Sequence, residues 1–134
     1  MTLLSKIESS HHLGLLRASA ALGFFAVLLG AFGAHGLQDI LVERKTTAIW
    51  QTAVQYHFYH TLALLVIALV PSATERWRTA IGGCWIAGTL FFSGSLYLLA
   101  YTGERWLGAI TPIGGVLFLI GWGFLLFSAS KKKR

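Results

Sequence analysis

The sequence predicts an all-α integral membrane protein, a bundle of four transmembrane helices arranged N-in/C-in. Three observations predict it. Only 12% of the residues are charged while 55% are hydrophobic, about half the charged share of a soluble domain. The charges divide the chain into four charge-free runs, 18–38, 46–74, 79–103 and 106–130. Lysine and arginine also gather on alternate ends of those runs. With a mean hydropathy of +0.66, such a chain cannot cover itself with polar groups, and lipid is its natural solvent.

Each run reaches the ~20 residues that a helix needs to cross hydrocarbon. The spans are expected at about 17–36, 50–70, 79–101 and 111–130, forming a single transmembrane domain over 1–134. The first run is longer than the ~7–15 residues of a signal-peptide core, so an uncleaved first helix is expected. Gly36, followed by Leu37, reads as a left-handed glycine ending that helix. Asp39 can then cap a short interfacial helix over 40–47 in the first outer connection. Pro71 cannot continue a helix and should close the second span. Thr111-Pro112 reads as an N-cap followed by proline in the first turn, the start of the fourth span. The competing reading is a proline kink within a longer helix.

Orientation follows from the cations. Lys6, Arg17, Arg76, Arg78, Lys131, Lys132, Lys133 and Arg134 fall on one side, against Arg44, Lys45 and Arg105 on the other. The positive-inside rule places the richer side, with both termini, in the cytoplasm of a cell (inner) membrane protein. Trp50, Trp77 and Trp106 fall near span ends and are expected as interfacial anchors. The net charge of +6 lacks the aromatic interleaving of a nucleic-acid face, so no nucleic-acid partner is expected.

The second span is the most polar. Its wholly apolar part from Phe58 to Val70 covers about 20 Å and is too short to cross alone. The span must recruit Gln51, Gln55, Tyr56, His57, Tyr59 and His60, which form a broad polar arc. An unpaired polar group in lipid is costly, so this arc is expected to face other helices. With His35, which ends the first span, His57 and His60 form a candidate ligand set for a transition metal or a haem. The simpler reading is that they hydrogen-bond within the bundle, with no cofactor. Neither a carboxylate nor the lone Cys84 assists them, and three-residue spacing departs from the helical zinc motif. Cys84 itself lies in an apolar run and reads as a small hydrophobic side chain.

Small residues mark the helix faces, notably Gly30, Gly33, Gly88, Gly94, Gly114 and Gly115. They allow close helix approach, within one chain or between copies. A phosphate-binding loop would need a preceding strand and polar surroundings, and neither is present. The terminal run of cations reads as a topology anchor against anionic lipid.

Four motifs occur in order: Gly30-Ala-Phe-Gly-Ala-His-Gly-Leu37, Trp50-Gln-Thr-Ala-Val-Gln-Tyr-His57 with His60, Phe92-Ser-Gly-Ser-Leu-Tyr97, and Leu107-Gly-Ala-Ile-Thr-Pro-Ile-Gly-Gly115 with Gly121-Trp122. Together they resemble the YgdD/YwdK-like family of small membrane proteins of unknown function. The resemblance implies a four-helix protein of the bacterial cytoplasmic membrane, or of an organelle in eukaryotic relatives. It implies no reaction, cofactor or catalytic residue.

The functional expectation is a non-enzymatic packing or accessory component that forms a homo-oligomer or joins a larger membrane complex. The alternative is a haem- or metal-binding protein using His35, His57 and His60. A small-solute transporter or channel comes third, because its usual intramembrane carboxylate is missing.

Overall fold

A computed structural model describes residues 3–70 and 75–130. Five α-helices follow one another: α1 (Leu3–Ala34), α2 (Gln38–Glu43), α3 (Thr47–Leu69), α4 (Glu75–Thr102) and α5 (Thr111–Ser130). A 3₁₀ turn, Arg105–Ala109, precedes α5. Four stretches are long and apolar enough to cross a membrane: Leu13–Ala34, Thr47–Leu69, Glu75–Thr102 and Arg105–Ser128. Among the described residues there is no strand.

Sequence neighbours pack as antiparallel pairs, α1 on α3, α3 on α4 and α4 on α5, while among the described residues α1 and α5 do not pack together. The outer faces remain apolar, with Phe24, Phe32, Leu119 and Phe127 all exposed. In water such a surface would aggregate, whereas in hydrocarbon it is solvated.

Several boundaries differ from the sequence reading. The first helix begins at Leu3, well before the expected start near 17. No proline interrupts residues 3–17, and Gly14 is tolerated where nothing packs against it. Gly36 is not left-handed: among the described residues positive φ occurs at Lys45 and Gly103. The chain leaves α1 through a wide turn in which Leu37 N–H donates to the Phe32 carbonyl at 2.8 Å. Lys45 instead ends α2, with Thr46 N–H bonded to Leu41 O and Lys45 N–H to Val42 O. This is a Schellman motif, and it satisfies two carbonyls that would otherwise be orphaned.

Asp39 lies inside the first turn of α2 rather than at its cap, which is Leu37. Pro71 lies outside the described residues; Val70 before it is extended, as a residue preceding proline prefers to be. Helix α5 begins at Thr111, so Pro112 sits in a first turn where its missing N–H costs nothing. Thr111 does not cap with its side chain; its hydroxyl bonds Ser95 Oγ at 2.8 Å.

Two apolar clusters occupy the ends of the packed region. One gathers Leu64, Ile67, Ile81, Trp85 and Phe118. The other gathers Leu41, Trp50 and Ala100 beneath α2. Trp50 is therefore a core residue and not the interfacial anchor that its position suggested. Its Nε1–H donates to the Leu29 carbonyl at 3.0 Å, which pins α3 to α1. Trp106 is exposed, as an anchor should be, and Trp77 is partly covered by an edge contact with Phe124.

Candidate functional site

Between the two apolar clusters lies a buried polar layer: His57, His60 and Thr61 of α3 with Thr89 and Ser93 of α4. The buried face of α3 explains why. Trp50, Ala53, His57, His60, Thr61, Leu64, Ile67 and Ala68 recur every three or four residues, the spacing of one helical stripe. Ala53 is small enough for α4 to approach, and Ser93 Oγ donates to its carbonyl at 2.8 Å. At the Thr47 end of α3, Thr46 Oγ1 donates to the Ala100 carbonyl at 2.8 Å. Such interhelical bonds hold helices where lipid offers the groups no alternative partner.

The polar arc of the second span is divided by this packing. His57 and His60 are buried, at 4% and 6% exposure. Gln51, Gln55, Tyr56 and Tyr59 are exposed, contrary to the expectation that the whole arc faces other helices. The arc covers too much of the helix for a single contact face to bury it. Tyr56 lies over Phe92, with ring centroids 4.6 Å apart. The two glutamines line a groove between α1 and α3, together with Gly30, Gly33, Ala34 and Gln38.

His60 is fully engaged. Its Nδ1–H donates to the Tyr56 carbonyl at 2.9 Å, and its Nε2 accepts from Trp122 Nε1–H at 3.2 Å. Its ring stacks on Phe118 at 3.5 Å between centroids. These two bonds fit one neutral tautomer. The other imidazole differs. His57 Nδ1 meets the Tyr97 hydroxyl at 3.1 Å, while its Nε2 is buried without a hydrogen bond of ordinary geometry.

His35 does not join them. It is exposed just beyond α1, while His57 lies about 10 Å further along α3 than Trp50, which packs against Gly33 near the end of α1. Among the described residues no three His, Cys, Asp or Glu side chains gather to hold a metal. The set of His35, His57 and His60 is therefore not assembled, and His60 has no nitrogen free to ligate.

The small residues sort into three groups. Gly33 receives the Trp50 indole, and Gly88 and Gly114 bring the α4 and α5 main chains together. Gly30 and Gly115 make ordinary contacts, to Val54 and Phe92. Gly94 faces open space. Gly82 beside Leu15 and Gly121 beside Trp85 are further close approaches. Most of these faces thus close the monomer.

Arg78 has a second role that its place in the sequence does not reveal. Counted there only as a topology charge, it is buried and donates to the Ile67 and Val70 carbonyls at the end of α3, at 3.2 and 2.9 Å.

Four membrane-crossing helices around an internal polar layer define a small multi-pass membrane protein. The chain belongs to the family described as "Protein of unknown function (DUF423)", whose profile matches residues 29–115. It is 50% identical over 119 residues to a UPF0382 membrane protein of Staphylococcus epidermidis, covering 89% of this chain and 93% of that one. It is 45% identical over 111 residues to a UPF0382 membrane protein of Haemophilus influenzae, covering 83% and 89%. The UPF0382 membrane protein YwdK of Bacillus subtilis is 43% identical over 121 residues, covering 89% and 94%. No solved structure matches the chain.

Proposed function

We propose that this protein is a non-enzymatic component of the cell (inner) membrane that acts by self-association, with both termini cytoplasmic. The observation that carries the reading is the pair Gln51 and Gln55, one turn apart and exposed beside Gly30 and Ala34. The groove they line encloses about 440 Å³. Gln55 lies about 12 Å along α3 from Thr47, inside the depth of the hydrocarbon. An amide facing lipid there lacks partners, and each unmet group is costly.

A second copy of the same chain supplies the missing partners. A glutamine amide both donates and accepts, so the same two residues related by a two-fold axis complete one another. No charged side chain lines the groove, so the partner need not bring an opposite charge. Small residues at the lining let a helix approach closely enough for the amides to meet.

The test is the oligomeric state of the full chain by native mass spectrometry from mild detergent. A dimer is expected. Changing Gln51→Leu and Gln55→Leu together should weaken it at least tenfold, because two amides on each copy contribute about 0.6 kcal/mol or more apiece. Leucine is content in lipid, so the variant monomer should remain folded. A natural chain that is monomeric in both detergent and lipid nanodiscs would sink the reading.

The orientation has its own check. Reporter fusions at residues 1 and 134 should be active only as cytoplasmic reporters, while one in the first connection, near Arg44, should be active only as a periplasmic reporter. The opposite pattern would reject the charge argument.

A further inference from the structure

The charges at the cation-poor end of the bundle gather in two short segments. Asp39, Glu43, Arg44 and Lys45 belong to α2 and the turn after it, while Glu104 and Arg105 follow α4. All six are exposed. The hydrogen bond from Thr46 Oγ1 to the Ala100 carbonyl holds the two segments side by side. Each bends through a left-handed residue, Lys45 with φ 58° and Gly103 with φ 80°. The Arg44 guanidinium lies over the second bend, since a methyl placed on Gly103 would sit 3.5 Å from its Nη1. Arg105 is two residues further on, so its Cα is at most about 7 Å from that of Gly103. Two guanidinium groups thereby come within reach of a single phosphate.

Two features set these charges apart from an ordinary solvated surface. Among the described residues none of the six side chains enters an ion pair or a hydrogen bond; the ion pair of Arg78 with Glu75 lies at the opposite end. Cations and acids are also equal in number here, three of each, out of eleven cations and five acids in the whole chain. The opposite end is therefore strongly cationic and suits anionic lipid. At this end an anionic headgroup would meet as many carboxylates as cations, whereas a headgroup carrying both signs meets a partner for each.

The chemistry of the side chains fits such a headgroup. Arginine takes a phosphate through paired, charge-assisted hydrogen bonds, and a carboxylate accepts the protons of a primary ammonium. Val42, Tyr101 and Trp106 are exposed at the same end. They suit the boundary between headgroups and acyl chains, which favours a lipid over a soluble phosphate compound.

We propose that this end binds the phosphoethanolamine headgroup of a zwitterionic phospholipid. Arg44 and Arg105 hold the phosphate, and Glu43 and Glu104, each next in sequence to one of them, receive the ammonium. None of these four residues lines the glutamine groove, so lipid retention and self-association are read separately.

The experiment places the full chain in nanodiscs of phosphatidylethanolamine and phosphatidylglycerol, in equal amounts and with matched acyl chains. The protein is then moved to mild detergent, and retained lipid is counted by native mass spectrometry. One phosphatidylethanolamine per chain is expected to outlast phosphatidylglycerol. Arg44→Gln with Arg105→Gln should lower that retention about tenfold, as two cations lost from the headgroup layer imply. Glu43→Gln with Glu104→Gln should act differently: the arginines still hold phosphate, and phosphatidylglycerol is then retained as well as phosphatidylethanolamine. All four side chains are exposed, so both variants keep the packed core. Equal retention of the two lipids by the natural chain, retention of neither, or an unchanged count in the arginine variant would overturn the proposal and leave the six charges to water and counter-ions. A dimer without retained lipid strikes this proposal alone, and a monomer with it strikes only self-association.

Discussion

Changing Gly114 to alanine is expected to destabilise the protein by about 3 kcal/mol, at the upper end of the cost of overpacking. A Cβ built at Gly114 meets the backbone nitrogen of Phe92 and the carbonyl of Gly88. Backbone cannot rotate out of the way, so α4 and α5 must separate. That loosens the contacts which place Phe118 and Trp122 around His60. Two neighbours serve as controls. A methyl at Gly115 meets only the Phe92 ring, at 3.8 Å, and should be nearly neutral. A methyl at Gly88 meets the buried Phe118 ring and, at 3.2 Å, the Gly114 carbonyl, so its cost should fall between the other two, nearer that of Gly114, about 2 kcal/mol. Unfolding midpoints of the three variants in one detergent give the comparison. Equal losses at Gly114 and Gly115 would show that the close crossing of α4 and α5 is misplaced.

That crossing also marks the limit of what the sequence reveals. Gly114 and Gly115 are adjacent, and nothing in the sequence says which of them points at α4. A glycine stripe announces close packing, but its direction depends on the rotation of two helices at once. The same ambiguity affected α3. Its polar residues cover so wide an arc that amphipathicity could not separate His57 and His60, which face inward, from Gln51, Gln55 and Tyr59, which face out. In a water-soluble helix, polarity would have settled the choice; in a membrane a polar side chain can face protein or a partner chain. The number of crossing helices was legible because length and charge-free composition set it directly. Trp50 was misread because tryptophan suits both the interface and a core. Gly36 was misread because a short wide turn ends α1 without a left-handed residue, while Lys45 takes that conformation at the next helix end.

The polar layer has a consistent physical logic. Lipid tails are as apolar as the protein interior, so burying leucine gives the helices little reason to associate. Hydrogen bonds such as Ser93 to Ala53 O, Thr46 to Ala100 O and Trp122 to His60 supply specificity instead. Each fixes the height of one helix against its neighbour, which a greasy surface cannot do.

Arg78 supports the second large effect. Helix α3 ends at Leu69, and its final carbonyls have no partners within the helix. The Arg78 guanidinium reaches back from the first turn of α4 to one of them, Ile67 O, and to the carbonyl of Val70 just beyond, and also meets Glu75 at 3.4 Å. It is 2% exposed. A cation at this end also complements the negative pole of the α3 dipole. Arg78→Met retains much of the aliphatic bulk and removes every donor. The buried Ile67 carbonyl and the partly buried Val70 carbonyl then lose these bonds, at about 1–3 kcal/mol for an unmet buried group. The expected loss is about 3 kcal/mol, read as a lowered unfolding midpoint in detergent. Arg78→Lys keeps the charge, but its single ammonium cannot reproduce the spread of the planar fork, and it should recover only part of the loss. This ordering separates the capping role from the topological one. If charge alone mattered, lysine would restore stability completely, and Arg78→Met would alter orientation while leaving the unfolding midpoint unchanged.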